Sequence, residues 1–284
     1  MTIQTALLRA ITTLRSTSTS AQLDAEVLLS SVMRQPKTWL LAHHDHAMTT
    51  VQTVKFRSLV TQRKNGMPIA YLTGHHEFYG LDFSVNKHVL VPRPETETLV
   101  EETIRAARQL EKRSATAKPR IADIGTGSGC IAITLAKYLP RALIFASDVS
   151  MPALTVARRN AARHRLSSRI TFVRGNLFTP FQSIVKRKPI DIIVANLPYL
   201  RKPELAGVKH EPRIALYGGK MGIEVIDRLL ARARHYLAPH GALLLEIASD
   251  QAGSISYAAQ RQFPEKNVRT IQDLAGRDRV VIIE

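Results

Sequence analysis

Two short stretches hold residues whose types and spacing can do chemistry. The first is Ile121-Ala122-Asp123-Ile124-Gly125-Thr126-Gly127-Ser128-Gly129-Cys130, followed by the apolar run Ile131 to Ala136. An apolar segment, a cluster of glycines and a helical pattern to about Leu139, stopped by Pro140, read as strand, tight turn and helix. Glycine allows the sharp turn and lets backbone approach a ligand where a Cβ would clash. The spacing is Gly-x-Gly-x-Gly, not the Gly-x-Gly-x-x-Gly of dinucleotide sites. It suits a cofactor with an amino-acid tail and a ribose better than a pyrophosphate. Asp148 ends the next apolar segment, Ala142 to Ser147, about 20 residues further on, where an acid at a strand tip accepts hydrogen bonds from ribose hydroxyls. Together these residues predict an adenosyl cofactor lying along Gly125, Thr126, Gly127, Ser128 and Gly129 with Asp148 at its ribose.

The second stretch, Asn196-Leu197-Pro198-Tyr199, directly follows the apolar run Ile190 to Ala195. In an open α/β sheet, ligands bind outside the carboxyl ends of the strands, so the Gly turn, Asp148 and this tetrapeptide should face one crevice. The Asn196 side-chain oxygen and the Leu197 carbonyl can accept both N–H hydrogens of a planar –NH₂ group, which aims its lone pair at an electrophile. Pro198 restrains Leu197 to an extended conformation, and Tyr199 offers a face for a flat group. An amide nitrogen is a poor nucleophile, so such a site must contribute orientation, an effect worth up to ~7–11 kcal/mol. Acceptors on the N–H groups also stabilise the positive charge that builds on nitrogen. A Pro-containing turn that merely caps a strand is the bland alternative; the Gly turn on the same sheet edge argues against it.

The elements that must position these groups follow from periodicity. Residues 2–15 carry Ile3, Leu7, Leu8, Ile11 and Leu14 at helical spacing. Leu23 to Val32, Trp39 to Leu41 and Val51 to Gln62 give further helices, so residues 1–70 read as a small helical bundle. Residues 71–92, with Tyr71, Phe78, Phe83, Val85 and Val89 to Val91, read as a hairpin linker turning near Gly80. From 93 to 284 strands alternate with helices. A helix opens at Val91-Pro92-Arg93-Pro94-Glu95-Thr96-Glu97; strands follow at 170–173, 190–195 and 242–247, helices at 151–164, 222–237 and 251–263, and a closing strand pair at 268–271 and 279–283. This predicts an α/β fold with a mostly parallel sheet, covered on both faces, and an antiparallel edge. Thr96 and the neighbouring acids have two readings, helix capping or bordering the cofactor cleft.

Bulk properties narrow the class. The chain has 284 residues, 45% of them hydrophobic, with no apolar run near the roughly 18 residues of a membrane span. A polar N-terminus unlike a signal peptide and a single cysteine, Cys130, exclude a disulfide framework and a cysteine metal site, and point to the cytoplasm. His43, His44 and His46 beside Asp45 lack a second ligand cluster and read as an interhelical loop, so no metal is expected. The formal net charge is +17. It fits proximity to RNA or the ribosome, or simply a basic proteome. Lys186-Arg187-Lys188 reads as a solvated loop.

Asp123 to Gly129 resembles motif I of class I S-adenosylmethionine-dependent methyltransferases, and Asn196 to Tyr199 resembles the Asn-Pro-Pro-Tyr signature of amino-group methyltransferases. Three further blocks, Val91 to Glu97, Glu211-Pro212-Arg213-Ile214-Ala215-Leu216-Tyr217-Gly218-Gly219 and Asp273-Leu274-Ala275-Gly276-Arg277-Asp278-Arg279, resemble the peptide chain release factor glutamine methyltransferase family (HemK/PrmC). The likeness covers essentially the whole chain. It implies a Rossmann-like class I sheet preceded by a helical substrate-recognition domain. It further implies methyl transfer from S-adenosylmethionine to the side-chain amide of the glutamine in the Gly-Gly-Gln motif of class I release factors, leaving S-adenosylhomocysteine. By that resemblance Asn176 and Leu177 border the adenine, Asn196 lies beside the cofactor as well, and Asn196, Leu197, Pro198 and Tyr199 grip the glutamine. The chain departs from the family with Leu197 where proline is usual and Asn176 where aspartate is usual; neither removes a required chemical group. Leu197 also brings the motif close to that of ribosomal RNA adenine dimethyltransferases, which keeps an adenine amino-group methyltransferase acting on RNA or DNA as the alternative. A non-catalytic ribosome-associated protein is a third reading, opposed by the intact Gly125, Gly127, Asp148 and Asn196.

Overall fold

The computed structural model describes residues 1–113, 118–185 and 188–284. Lys186 and Arg187 of the basic run lie outside them. The chain divides into two compact units, Met1–His75 and His76–Glu284.

The first unit holds helices α1 (Ile3–Leu14), α2 (Ala21–Met33), α3 (Lys37–Ala42), α4 (Thr50–Lys64) and α5 (Ile69–Thr73). Thr2 caps α1, and Thr49 with Gln52 forms a reciprocal capping box on α4, so these two helices start where a side-chain acceptor meets their free N–H groups. Ile3, Leu14, Leu28, Leu29, Leu40 and Phe56 fill the core. Asp24 is buried there and is satisfied by Arg63 Nε at 2.6 Å and the Ser18 hydroxyl at 2.7 Å. Trp39 on α3 stacks on His43, the residue that ends that helix, at 4.2 Å.

A hairpin of β1 (His75–Phe78) and β2 (Leu81–Ser84) follows, all but His75 in the second unit, turning at Tyr79 and Gly80, both at positive φ. The hairpin is shorter than the span 71–92 suggests. Pro68, with φ near the value a helix start needs, sets up α5, and Gly74 in the left-handed region closes it, so Tyr71 sits on a helix. Residues 85–92 run outside regular strands.

Next come α6 (Thr96–Arg113), β3 (Arg120–Ile124), α7 (Cys130–Tyr138), β4 (Leu143–Asp148), α8 (Met151–Arg163), β5 (Ile170–Arg174), α9 (Gln182–Val185) and β6 (Ile190–Ala195). After these follow α10 (Glu224–Ala233), β7 (Leu237–Glu246), α11 (Ala252–Gln262), β8 (Val268–Gln272) and β9 (Asp278–Ile283). The seven-stranded sheet runs β5-β4-β3-β6-β7-β9-β8; β3 to β7 are mutually parallel, and β9 is antiparallel to both neighbours. The near-continuous apolar strands at 121–124 and 192–195 are buried, as strands covered on both faces must be. Strand β7 begins five residues before the expected Ala242, because Leu237 already pairs with Ile190, and α10 ends correspondingly sooner, at Ala233. Among the described residues no helix is long and apolar enough to cross a membrane.

Chain order reverses at β3. Strand β4 leaves on one side and β6 on the other, which opens a crevice at the carboxyl edge. The registers Ile124↔Ser147, Ile124↔Ala195 and Ala195↔Leu245 put the ends of β4, β3, β6 and β7 level. Those ends carry Asp148, the Gly turn, Asn196 and Glu246.

Candidate active site

A cavity of about 560 Å³ lies at this edge, lined among others by Gly125 to Ser128, Asp148, Asn176, Leu177 and Asn196 to Pro198. Its size falls in the range of small-molecule sites.

The Gly turn is held from beneath and from both sides. Gly125 and Thr126 N–H groups both donate to the Ser147 carbonyl at 2.9 Å. The Thr126 hydroxyl donates to buried Asp123 at 2.6 Å, and burial pushes the Asp123 carboxyl up to about 7. Gly127 N donates to Asp148 Oδ2 at 2.9 Å, with Ser150 N on Oδ1 at 2.8 Å. Gly125, Gly127 and Gly129 all have φ between 55° and 83°, where a side chain is strained. Their surroundings differ. A Cβ on Gly127 would meet nothing within 4 Å, so that backbone faces open space. A Cβ on Gly129 would press on Ile133 and Ala157 at 3.0 and 3.1 Å, so Gly129 serves α7–α8 packing rather than the cavity wall.

Asp148 keeps acceptor capacity, since an ionised carboxylate offers about four lone-pair sites and two are used. It stands at the cavity wall beside apolar Val149, Ala153 and Leu177 and the bare turn. A ribose and a flat base fit that donor set: an acid for hydroxyls, aliphatic walls for the ring, and naked backbone for a polar tail. Asn176 borders the same wall, and Leu177 is fixed beside it with φ 49°.

The tetrapeptide turns out of β6. Asn196 Nδ2 donates to the Thr96 hydroxyl oxygen at 3.1 Å, and among the described residues nothing donates to Asn196 Oδ1 or to the Leu197 carbonyl. Both acceptors thus belong to residues of the cavity wall and lack a donor among the described residues. Leu197 is 5% exposed, and its Cδ2 would lie 3.1 Å from a Cβ on Gly125, which packs the two loops against each other. Tyr199 stands beside the cavity rather than on its wall; its hydroxyl donates to Glu246 Oε1 at 3.3 Å, and burial raises its pKa.

The sequence reading placed several of the groups that brace these loops in its motif blocks, Asn160 excepted, but gave none of them a bracing contact. Thr96, open between capping and cleft, lies on the cavity wall. Asn160, fully buried on α8, donates to the Ser128 carbonyl at 2.8 Å and the Ser84 carbonyl at 3.0 Å while accepting from Ser84 N at 2.8 Å. Glu211 accepts from Val91 N at 3.0 Å and pairs with Arg93. Leu200 N donates to the Leu216 carbonyl at 2.9 Å and Gly218 N to the Leu200 carbonyl at 3.0 Å, and a Cβ on Gly218 would fall 2.5 Å from the Pro198 carbonyl. Arg279 joins the Ile247 carbonyl to Asp273, each at 3.1 Å. The blocks at 91–97, 196–199 and 211–219 are therefore one hydrogen-bonded rim. Their chain separations hide this from any local pattern.

Comparison with known proteins agrees with this architecture. Residues 5–74 match a family model described as the PrmC N-terminal domain, and residues 105–211 one described as the methyltransferase small domain. Among solved structures, a Pyrococcus furiosus methyltransferase is 21% identical with a TM-score of 0.50 over 80% of this chain and 96% of that one. The human methyltransferase 10 domain containing protein is 16% identical, TM-score 0.52, over 84% and 99%; both likenesses concern the fold. Among curated relatives, the release factor glutamine methyltransferase of Moorella thermoacetica is 40% identical over 91% of this chain and 89% of its own length. That of Rhodopirellula baltica is 37% identical over 94% and 90%, and that of Koribacter versatilis 35% identical over 99% and 98%. With identity of this degree over nine tenths or more of its length, the chain belongs to the release factor glutamine methyltransferase family.

Proposed function

We propose that this chain transfers a methyl group from S-adenosylmethionine to the side-chain amide nitrogen of the Gly-Gly-Gln glutamine of class I release factors, in the cytoplasm. The observation that carries the reading is the pair of free acceptors, Asn196 Oδ1 and the Leu197 carbonyl, beside a bare-backbone turn and a strand-end acid. An –NH₂ group satisfies two acceptors at once.

S-adenosylmethionine, when bound, supplies an electrophilic methyl group on a sulfonium sulfur. Gly125 to Ser128 lie along its amino-acid end, with Gly129 holding the turn against α7 and α8, Asp148 accepts from the ribose hydroxyls, and Asn176 with Leu177 borders the adenine. Asn196 and Leu197 accept the two glutamine N–H hydrogens, which fixes the nitrogen with its lone pair toward the methyl group and offsets the charge that grows on it until one of those hydrogens leaves as a proton. Pro198 fixes the direction of the Leu197 carbonyl, and Tyr199 supports the loop from behind. Residues 1–70 serve as the release-factor recognition domain, 71–92 as the linker and 93–284 as the methyltransferase domain.

The test is transfer of labelled methyl with a release factor and ribosomal RNA offered in parallel. Label should appear on the release factor and vanish when its Gly-Gly-Gln glutamine is changed. Label on RNA alone would overturn the reading. Asn196→Ala should lower turnover at least a hundredfold while S-adenosylhomocysteine still binds; unchanged turnover would show that the acceptor grip lies elsewhere.

A further inference from the structure

The loop that carries the two free acceptors is held at both ends, and the sheet explains only one of them. On the entry side Ala195 pairs with Ile124 and Leu245, so Asn196 starts from a fixed backbone. On the exit side the chain leaves the sheet through Pro198 and Tyr199. There Gln251, 5% exposed in the turn between β7 and α11, donates from Nε2 to the Tyr199 carbonyl at 2.9 Å. Its Oε1 accepts from Ala248 N at 3.2 Å. A backbone N–H only donates and a carbonyl only accepts, so the Gln251 amide has one permitted orientation. Gly222, at φ 83°, closes over this bond. A Cβ there would fall 2.5 Å from the Tyr199 carbonyl oxygen and 2.6 Å from Gln251 Nε2. The Tyr199 carbonyl has no other donor among the described residues, and methyl transfer as described gives Gln251 no task.

Few soft torsions separate the two ends. Pro198 locks its own φ and restrains Leu197 to extended backbone, which leaves ψ of Pro198 and the torsions of Tyr199 as the joints. The Tyr199 side chain is tied to Glu246 and the next residue, Leu200, to Leu216; Gln251 alone fixes the peptide plane between them. We propose that Gln251 is a positioning residue for methyl transfer, whose bond to the Tyr199 carbonyl stops the loop from pivoting and so holds Asn196 Oδ1 and the Leu197 carbonyl at the reacting nitrogen. The inference rests on the methyl-transfer reading. Turnover is sensitive to such a brace, since a displacement of about 1 Å at a reacting pair can cost roughly a hundredfold. The cofactor wall is braced separately, through Ser147, Asp123 and Asp148, so cofactor binding should survive the loss of Gln251.

The charged groups near Gln251 are matched with one another. Arg201 pairs with Glu204 and Asp250, and Arg279 with Asp273, while Tyr199 meets Glu246. A carboxylic acid placed at 251 would keep the acceptor for Ala248 N but bind the Tyr199 carbonyl only while it holds a proton to donate.

The experiment measures kcat and KM for release-factor methylation at pH 6 and pH 8, and S-adenosylhomocysteine affinity by calorimetry, in the intact chain. The wild-type arm comes first: no label on a release factor overturns the functional reading and this inference with it. With that arm positive, Gln251→Glu and Gln251→Met should each lower kcat about tenfold or more at pH 8, with KM and product-cofactor affinity within about threefold. Relative to wild type at the same pH, Gln251→Glu should regain about fivefold or more at pH 6, as protonation restores the donor, while Gln251→Met stays flat. A purely structural role would give the two variants one pH profile. Turnover within about twofold of wild type in either variant at pH 8 overturns the proposal. So does a loss of cofactor affinity as large as the loss in rate, or a Gln251→Glu profile that tracks that of Gln251→Met.

Discussion

Asp148 shows how much one side chain is asked to do at this site. It holds Gly127 N and Ser150 N and has lone pairs left at the cavity wall. Asp148→Asn replaces one acceptor oxygen with a donor, so one backbone N–H loses its partner and a ribose hydroxyl loses a charge-assisted bond. At roughly 1.5–3 kcal/mol for a hydrogen bond to a charged group, S-adenosylhomocysteine affinity should fall tenfold or more by calorimetry; an unchanged affinity would remove Asp148 from the ribose. Asp148 and Asn196 were legible in the sequence because each is tied to a backbone signal, a cluster of glycines or a proline, with fixed spacing to an apolar strand. Thr96, Asn160 and Glu246 carry no such signal. An acid ending an apolar run looks like any strand end, and the bond that defines Thr96 spans 100 residues.

Among the elements, the hairpin, α8 and the Gly turn are joined through Asn160, whose amide is satisfied on all three sides. Asn160→Ala would strand two carbonyls and one N–H in a buried place. It should cost about 3 kcal/mol in urea unfolding of the intact chain, and weaken cofactor binding through the freed Ser128 carbonyl. Cofactor affinity equal to wild type would mean that the turn stands without this brace. The alternation of strands and helices was readable because strands buried on both faces are apolar throughout, while helices show one apolar stripe. The hairpin limits were not. Aromatic Tyr71 favours a strand by propensity, yet Pro68 and Gly74 bound a single helical turn, and that short-range punctuation outweighs propensity. The far boundary of β7 was equally hidden, since pairing of Leu237 with Ile190 is decided by the neighbouring strand.

For the molecule as a whole, Asp123 and Glu246 are the buried acids pushed up to about 7. A carboxyl whose folded pKa lies above its unfolded value binds more protons in the native state, so stability falls as pH rises from the unfolded value through about 7. From ordinary values of 3.8 and 4.5, each contributes on the order of 4 kcal/mol to that fall at about 1.4 kcal/mol per unit. Thermal melting should therefore decline from pH 5.5 to 8. Glu246→Gln should melt above wild type at pH 8 and show a shallower decline; identical slopes would mean that Glu246 titrates at its ordinary value.

The insertion of β9 between β7 and β8 reaches beyond the finished fold. On a ribosome, every parallel strand emerges before the strand that covers the far edge of β7. Until residues 278–283 are out, the nascent sheet has its glycine turn and its Asn196 loop, but the strand bearing Glu246 ends in an open row of N–H and C=O groups. Such an edge invites pairing with another chain. Arg279, at the start of β9, also reaches the Ile247 carbonyl only then. Ligand-binding competence should therefore appear late in synthesis, and stalled chains lacking β9 should be conspicuous clients of whatever guards exposed sheet edges in the cell.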